Sequence, residues 1–488
     1  MKNIYKAIVR SLIIAGVVAS VVTVAVVADH SAPSRVLRDA GVIKDSDSII
    51  HSFSDESIPV KSEKTAGLSQ NAASVIFTNP AEDCSTSMDI SWLTAPGKIC
   101  KIEVIDQTDP HTYIYDYEEG DGKYPNDEPQ AVELGYADAG AENVQKEYSI
   151  AGSFKDKGNV GGFEKHGYKL TNLKPDTDYS YRIAVYDKAT GKEEHSETRH
   201  FHTAGARAWK AAILGDFHHY APEPGRLRSA MGMLDVLDNV SGGVDWVLST
   251  GDECGWGGSL SFWNDLSQQP GFKNYMWAAV EGNHDHMDRY KDKTDDFFRD
   301  SHYFPLNGYK GQEGVSYWFK YGDVLFLMLN NEAMLTGGTQ QPVEWMKSVV
   351  RANPSKYIVV VEHHQWLIGT DGSNGQLDRW RKAFDEMGVD LAISGHNHAY
   401  IRTYPLYDRQ PVEPGKGTVY VVNSSSDNER GRKLGPIVAN KNIIADRWSE
   451  GKHTVGGMVM DVNPERIAMT LYDREGHVED TFTVPARR

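Results

Sequence analysis

Ala211-Ala212-Ile213-Leu214-Gly215-Asp216-Phe217-His218-His219 sets a short apolar run directly before an aspartate and two histidines. Such a run reads as a buried strand, and in open α/β sheets ligands bind beyond the carboxyl ends of the strands. The arrangement recurs downstream. Val244–Leu248 precedes Gly251-Asp252, and Met276–Val280 precedes Gly282-Asn283-His284-Asp285. Tyr357–Val361 precedes Glu362-His363-His364, and Val389–Ile393 precedes Gly395-His396-Asn397-His398. One aspartate after a strand is ordinarily a turn or a helix cap, and one histidine ordinarily a hydrogen-bonded core or surface residue. A series of consecutive strand ends that each deliver Asp, Asn or His is different: it supplies a mixed oxygen and nitrogen shell suited to Mn, Fe or Zn.

Further apolar runs at Val324–Leu329 and Val419–Val422 continue the rhythm, and helical patterns intervene. Leu227, Met231, Leu234 and Leu237 share one helical face, as do Leu377, Trp380, Phe384 and Met387. Alternating strands and helices predict an α/β domain built around largely buried sheets over residues 206–488.

The order D-x-H, G-D, G-N-H-D, H, G-H-x-H resembles the calcineurin-like metallophosphoesterase superfamily from about Lys210 onward. The resemblance implies a four-layer αββα sandwich and a binuclear centre of two divalent or trivalent ions. Carried across residue by residue, it implies one metal held by Asp216, His218 and His398, the other by Asn283, His363 and His396, and Asp252 as the bridge. It implies for His284 contact with the phosphate and protonation of the leaving oxygen. Two cations roughly 3.5–4 Å apart lower the pKa of a bridging water, clamp phosphoryl oxygens and neutralise charge in an in-line displacement. Register favours His363 over its neighbour His364, although Gln365 stands where the family commonly has Pro and keeps both in play.

Gly395-His396-Asn397-His398-Ala399-Tyr400, continuing to Ile401-Arg402-Thr403, is similar to the corresponding motif of purple acid phosphatases, whose catalytic domain follows a fibronectin-like sandwich. Two features depart from that branch. The position of its iron-binding Tyr, three residues after the bridging Asp, is Gly255, and the first motif keeps His218. No phenolate colour and no assured Fe(III) are expected. His219, Asp285, His364, Tyr400 and Arg402 are candidates to orient ligands or touch substrate, with packing or rim placement as the alternative. Cys254 reads as a structural thiol, and Trp256, Trp277 and Trp366 as pocket walls or, by default for tryptophan beside a strand, as core.

Residues 65–205 show short β-type runs separated by turns. Ser87–Thr94 alternates with Met88, Ile90 and Trp92 on one face, and Tyr179–Tyr186 does the same with Tyr179, Tyr181, Ile183 and Val185. A β-sandwich follows. Leu173-Lys174-Pro175-Asp176-Thr177-Asp178-Tyr179 resembles the tyrosine corner of fibronectin type III domains, in which the Tyr hydroxyl bonds back to upstream backbone. Asp106–Gly162 reads as a long acidic insertion, a solvated loop rather than a Ca²⁺ loop, since its spacing matches no EF-hand.

Lys2, Lys6 and Arg10 precede the uncharged Leu12–Ala28, LIIAGVVASVVTVAVVA. Residues 1–28 therefore read as a signal peptide or an uncleaved membrane anchor, and 29–64 as a linker. Both readings put the remainder outside the cytoplasm, with any membrane contact confined to the N-terminus. Over the 488 residues, 40% hydrophobic and 24% charged composition is ordinary for a globular protein of two or three domains. The formal net charge of -17 repels a phosphate backbone, so nucleic-acid binding is not expected and a small phosphate ester would be held through metal. Cys84 and Cys100 are a candidate disulfide in an oxidising compartment, with Cys254 left over. The chain is expected to be an exported phosphoesterase acting on mono- or diesters. The competing reading is a surface-binding or adhesion protein with a vestigial phosphoesterase domain, and the intact donor set disfavours it.

Overall fold

The structure, a computed structural model, describes residues 69–108, 112–116, 132–134 and 163–487, leaving aside positions 70, 96, 220–223, 256, 258–259 and 287–295. The signal or anchor, the linker, Trp256 and most of the acidic insertion lie outside the described residues. Within the insertion, the strands Thr112–Asp116 and Val132–Leu134 are described. Among the described residues no helix is long and apolar enough to cross a membrane.

The N-terminal segment forms two antiparallel sheets. In one, Ser74–Pro80, Met88–Thr94, Phe163–Leu170 and Val132–Leu134 lie side by side; in the other, Thr112–Asp116, Lys98–Asp106, Asp178–Asp187 and Lys192–His195, with Arg199–His202 also pairing Asp178–Asp187. The sheets meet through Trp92 Nε1, which donates to Cys100 Sγ at 3.4 Å, and through Thr78 Oγ1 and Tyr181 Oη at 2.8 Å. The predicted corner contact is made: Lys174 N donates to Tyr179 Oη at 2.8 Å. The alternation read in Met88–Thr94 predicts one wet face, yet the whole strand is buried. Its outer face is covered by the rest of the chain, as where Ser91 Oγ donates to the Ser301 carbonyl at 3.1 Å.

The expected Cys84–Cys100 disulfide is not formed; all three cysteines are free and buried. Cys84 sits in the turn after Ser74–Pro80 with its thiol toward the Ala81 carbonyl and Met276 Sδ, while Cys100 lies on the opposite sheet against Trp92. Spacing of sixteen residues allows a bridge, but the pairing of Lys98–Asp106 with Asp178–Asp187 carries Cys100 into a different layer.

The second segment contains two mixed sheets. The first runs Met276–Ala279, Trp246–Ser249, Trp209–Leu214, Gly456–Val462, Arg466–Asp473, Val478–Pro485, and the second Tyr317–Tyr321, Val324–Met328, Tyr357–Val361, Leu391–Ser394, Val419–Val422, Tyr400–Thr403, Ile444–Trp448. They face each other across a core in which Trp246 meets Phe326 edge-on at 5.2 Å. The helix Pro224–Ser241 covers the first sheet, with Leu227, Leu234 and Leu237 buried. The helices Gln340–Ala352 and Leu377–Met387 cover the second through Met346, Leu377, Trp380 and Phe384. The layers are thus helix, sheet, sheet, helix. Trp209–Leu214, Trp246–Ser249 and Met276–Ala279 are mutually parallel, as are Val324–Met328, Tyr357–Val361, Leu391–Ser394 and Val419–Val422. Parallel strands send their carboxyl ends to one edge of a sheet, and here the two edges adjoin.

Candidate metal centre

Each strand end delivers its donor through a strained bend. Asp216, His218, Asp252, His396 and His398 all have positive φ, between 43° and 70°, a region few non-glycine residues occupy and one that clusters at functional sites. Glycines make room for the crowding. A Cβ on Gly395 would lie 2.6 Å from Asp216 Oδ2, and one on Gly282 2.2 Å from Asp252 Oδ1.

The donors form two groups, buried except at the half-buried His396, that share one carboxylate. Asp216, His218, Asp252 and His398 offer atoms within 4.8 Å of one another, and so do Asp252, His363 and His396. Asn283 joins the second group, its Oδ1 3.2 Å from His363 Nε2. Asp216 accepts the His396 amide at 2.9 Å, and Asp252 Oδ1 accepts the His284 amide at 2.8 Å, so both carboxylates are fixed by backbone.

The outward ring nitrogens determine what the inward ones can do. His363 Nδ1 faces the Thr250 carbonyl at 2.8 Å and His398 Nδ1 the Arg430 carbonyl at 2.9 Å. A carbonyl only accepts, so both Nδ1 atoms carry hydrogen. His218 Nδ1 lies 3.3 Å from Asp427 Oδ2 on the same logic. In their neutral forms these rings present Nε2 lone pairs inward. His363 Nε2 meets His396 Nδ1 at 3.1 Å, Asn283 Oδ1 at 3.2 Å and Asp252 Oδ2 at 3.3 Å. His218 Nε2 meets Asp252 Oδ2 at 3.1 Å, and His398 Nε2 meets Asp216 Oδ1 at 3.3 Å. Acceptors packed this closely in a dry site repel unless cations or protons lie between them. The residues fit a pair of metal ions.

The protonation balance agrees. Burial works against a charge on His363, but the Asp252 carboxylate more than offsets it and holds the imidazole up at about 10. Burial likewise opposes the Asp252 anion, and His363 and His284 still hold it well below the usual carboxylate range. Burial, with His363 and His364 beside it, pushes His396 down to about 2. A proton thus occupies the position next to Asp252 that a cation would take.

His284 is buried and pushed down to about 3, chiefly by that burial. Its Nδ1 donates to the Gly255 carbonyl at 3.0 Å, and its Nε2 accepts from Arg430 Nη1 at 3.2 Å. The other sequence candidates divide. Asp285 braces the loops, accepting from Cys254 N at 2.9 Å and Gly282 N at 3.0 Å. His364 borders the site, its ring 4.4 Å from that of His396 and its Nε2 bonded to Glu332. His219 turns to Asp265 at 3.1 Å and to the Phe262 ring. Tyr400 and Arg402 do not join the site: both bind the Asp480 carboxylate of the other sheet, at 2.7 Å each, because Tyr400–Thr403 runs back antiparallel to Val419–Val422. Trp277 stacks on Phe272 and Trp366 packs on Phe384, so both are core rather than pocket wall.

Sequence reasoning did not single out Asp427, Arg430 or Glu332. A signal existed, since Val324–Leu329 and Val419–Val422 are also parallel strands, and Glu332 and Asp427 follow them closely.

Residues 210–400 match the family model described as calcineurin-like phosphoesterase. The chain is 23% identical over 299 residues to purple acid phosphatase 15 of Arabidopsis thaliana, covering 54% of this chain and 53% of that protein. It is 27% identical over 312 residues to a nucleotide pyrophosphatase/phosphodiesterase of Hordeum vulgare, covering 55% and 78%. The chain spans about half the length of the Arabidopsis relative. Its fold matches that of the purple acid phosphatase from yellow lupin (Lupinus luteus) seeds, with a TM-score of 0.66 at 16% identity over 85% of this chain and 74% of that one. Residues 210–400 are a calcineurin-like phosphoesterase domain, set in a chain with the fold of a purple acid phosphatase.

Proposed function

We propose that the chain is an exported, binuclear metal-dependent phosphoesterase that hydrolyses phosphate mono- or diesters. Asp216, His218 and His398 would hold one cation and Asn283, His363 and His396 the other, with Asp252 within reach of both groups. The observation that carries this reading is the convergence of imidazole nitrogens and carboxylate oxygens about Asp252, close enough to need a cation or a proton between them. When bound, the cations supply Lewis acidity, a more acidic water and neutralisation of phosphoryl charge.

The chain's own groups do the rest. Thr250, Asp427 and the Arg430 carbonyl fix the tautomers of the ligand rings, and the buried walls exclude bulk water. His284 stands at the edge with Nε2 unprotonated in the resting protein. A phosphate anion beside Nε2 raises its basicity; with Arg430 Nη1 turned from Nε2 to the phosphate, the imidazole can take up a proton from solvent at Nε2 and pass it to the leaving oxygen. Export is supported by Lys2, Lys6 and Arg10 ahead of the apolar Leu12–Ala28, and a fibronectin-like N-terminal domain by the facing sheets and the Tyr179 corner. A small ester rather than nucleic acid suits the net charge of -17.

Asp252→Ala and His396→Ala should each abolish hydrolysis of p-nitrophenyl phosphate and its bis ester while leaving the circular dichroism spectrum unchanged. Metal analysis of the purified wild type should return about two equivalents. Turnover retained in both variants defeats the reading.

A further inference from the structure

The loop after Val419–Val422 is braced internally and tied to the site at His218 and His398. Asp427 Oδ1 accepts the Glu429 and Arg430 amides at 2.7 and 2.8 Å, its Oδ2 faces His218 Nδ1, and the Arg430 carbonyl accepts from His398 Nδ1. Both Arg430 backbone groups are thereby committed, and this aims the side chain. Its Nη1 reaches His284 Nε2 at 3.2 Å, while the residue remains half-buried and so open to what enters. An arginine set against a neutral imidazole is a cation placed beside the donor cluster of an otherwise acidic chain. A guanidinium is the group best shaped to take up a phosphoryl oxygen.

We propose that Arg430 is a substrate-contacting residue that receives a terminal phosphoryl oxygen together with His284, and that it tunes the site toward phosphomonoesters. The proposal rests on the phosphoesterase reading above and adds the substrate class. A phosphomonoester presents three terminal oxygens and two negative charges; a diester presents two oxygens and one charge. With two oxygens directed to the donor cluster, the third position holds an anionic oxygen in a monoester and an esterified one in a diester. Arg430 stabilises the first and gains little from the second.

The test uses the full-length, metal-loaded protein with Arg430→Ala and Arg430→Lys. The loop's anchoring bonds belong to the Arg430 backbone and to Asp427, so both variants keep them. Metal content is measured first and should be unchanged. Binding of inorganic phosphate, read by calorimetry, should weaken about 10- to 100-fold in Arg430→Ala, less in Arg430→Lys, and recover in part on adding guanidinium. The kcat/KM for p-nitrophenyl phosphate should fall by a larger factor than that for bis(p-nitrophenyl) phosphate. Phosphate bound as tightly by Arg430→Ala as by wild type, or an equal loss on both esters, overturns the proposal. A wild type that holds no metal and turns over neither ester defeats the phosphoesterase reading, and the Arg430 assignment with it.

Discussion

At the scale of single residues, the rings of His363 and His398 have their far nitrogens held by carbonyls, and that of His218 faces the Asp427 carboxylate. The Asp427 contact with His218 is the case most open to test, since a carboxylate behind a ligand imidazole orients it and raises its basicity, and losing such a partner typically costs 10- to 100-fold in metal affinity. Asp427→Asn should therefore raise the metal Kd by about that factor, read by competition with a chromophoric chelator, and an unchanged Kd in the variant would count against the role. The protons give a second prediction. His363 sits at about 10 in the metal-free protein, above its ordinary value, so its proton stabilises the apo fold at neutral pH and that contribution fades as pH rises through about 10. A cation must displace this proton. Metal affinity should consequently rise with pH up to about 10, roughly tenfold per unit for each proton released, and calorimetry in buffers of different ionisation enthalpy should show the release. The residues that sequence alone made legible were those that follow an apolar run at once, such as Asp216, Asp252 and His363. Asp427 and Arg430 stand farther along a loop whose course only tertiary hydrogen bonds fix, and Tyr400 and Arg402 look like neighbours of His398 in sequence while a strand reversal takes them to Asp480.

At the scale of elements, the strands were the most readable feature and their exposure the least. The runs Tyr357–Val361 and Val419–Val422 appear as strands with the same bounds because apolar runs buried on both faces admit few alternatives. The two helical faces read around Leu234 and Phe384 are likewise the buried ones, since only one stripe of each helix meets a sheet. The N-terminal strands, by contrast, alternate as if half-wet, and burial of their outer faces depends on a surface more than a hundred residues away. Arg199 on the strand Arg199–His202 shows how that junction is made. It is only 1% exposed, and its guanidinium donates to the Ser267 carbonyl at 2.8 Å and toward that of Phe272 at 3.4 Å. It thereby satisfies carbonyls around the end of the helix Leu260–Ser267 and within the helix Pro270–Asn274. Arg199→Ala should leave both carbonyls unpaired in a dry interface and cost about 3 kcal/mol in chemical unfolding, with metal content unaltered. A loss no larger than that of an exposed arginine would mean the carbonyls find water instead.

At the scale of the whole molecule, one apolar core runs through both segments, with Val75, Ile76 and Phe77 belonging to the same cluster as Trp263, Trp277 and Phe298. Phe77 is the wedge: it stacks on His302 with centroids 4.5 Å apart and meets Phe272 edge-on at 5.6 Å and Trp263 at 6.5 Å. Aromatic pairs of this kind contribute about 0.5–1.5 kcal/mol each beyond the area they bury. The C-terminal segment therefore lacks a finished surface of its own. A chain reduced to residues 206–488 would keep every proposed ligand yet bare Trp263, Phe272 and Trp277 to water, an apolar patch of the sort that drives association. Expressed alone, that fragment should aggregate or elute as large oligomers in size-exclusion chromatography, while a chain beginning near residue 65 should be soluble and bind metal. A monomeric, metal-binding fragment would show that the N-terminal sheets are an accessory and not a wall of the C-terminal domain. The distinction bears on the chemistry, because the helix Leu260–Ser267 that Phe77 and Arg199 brace also supplies Trp263, whose Nε1 donates to the Gly257 carbonyl at 2.8 Å, and Gly257 N in turn donates to the His284 carbonyl at 2.9 Å. Loosening the N-terminal sheets would reach the imidazole edge of the site through that chain of contacts, so the full-length Phe77→Ala variant should retain metal but show a larger change in kcat than in KM for p-nitrophenyl phosphate.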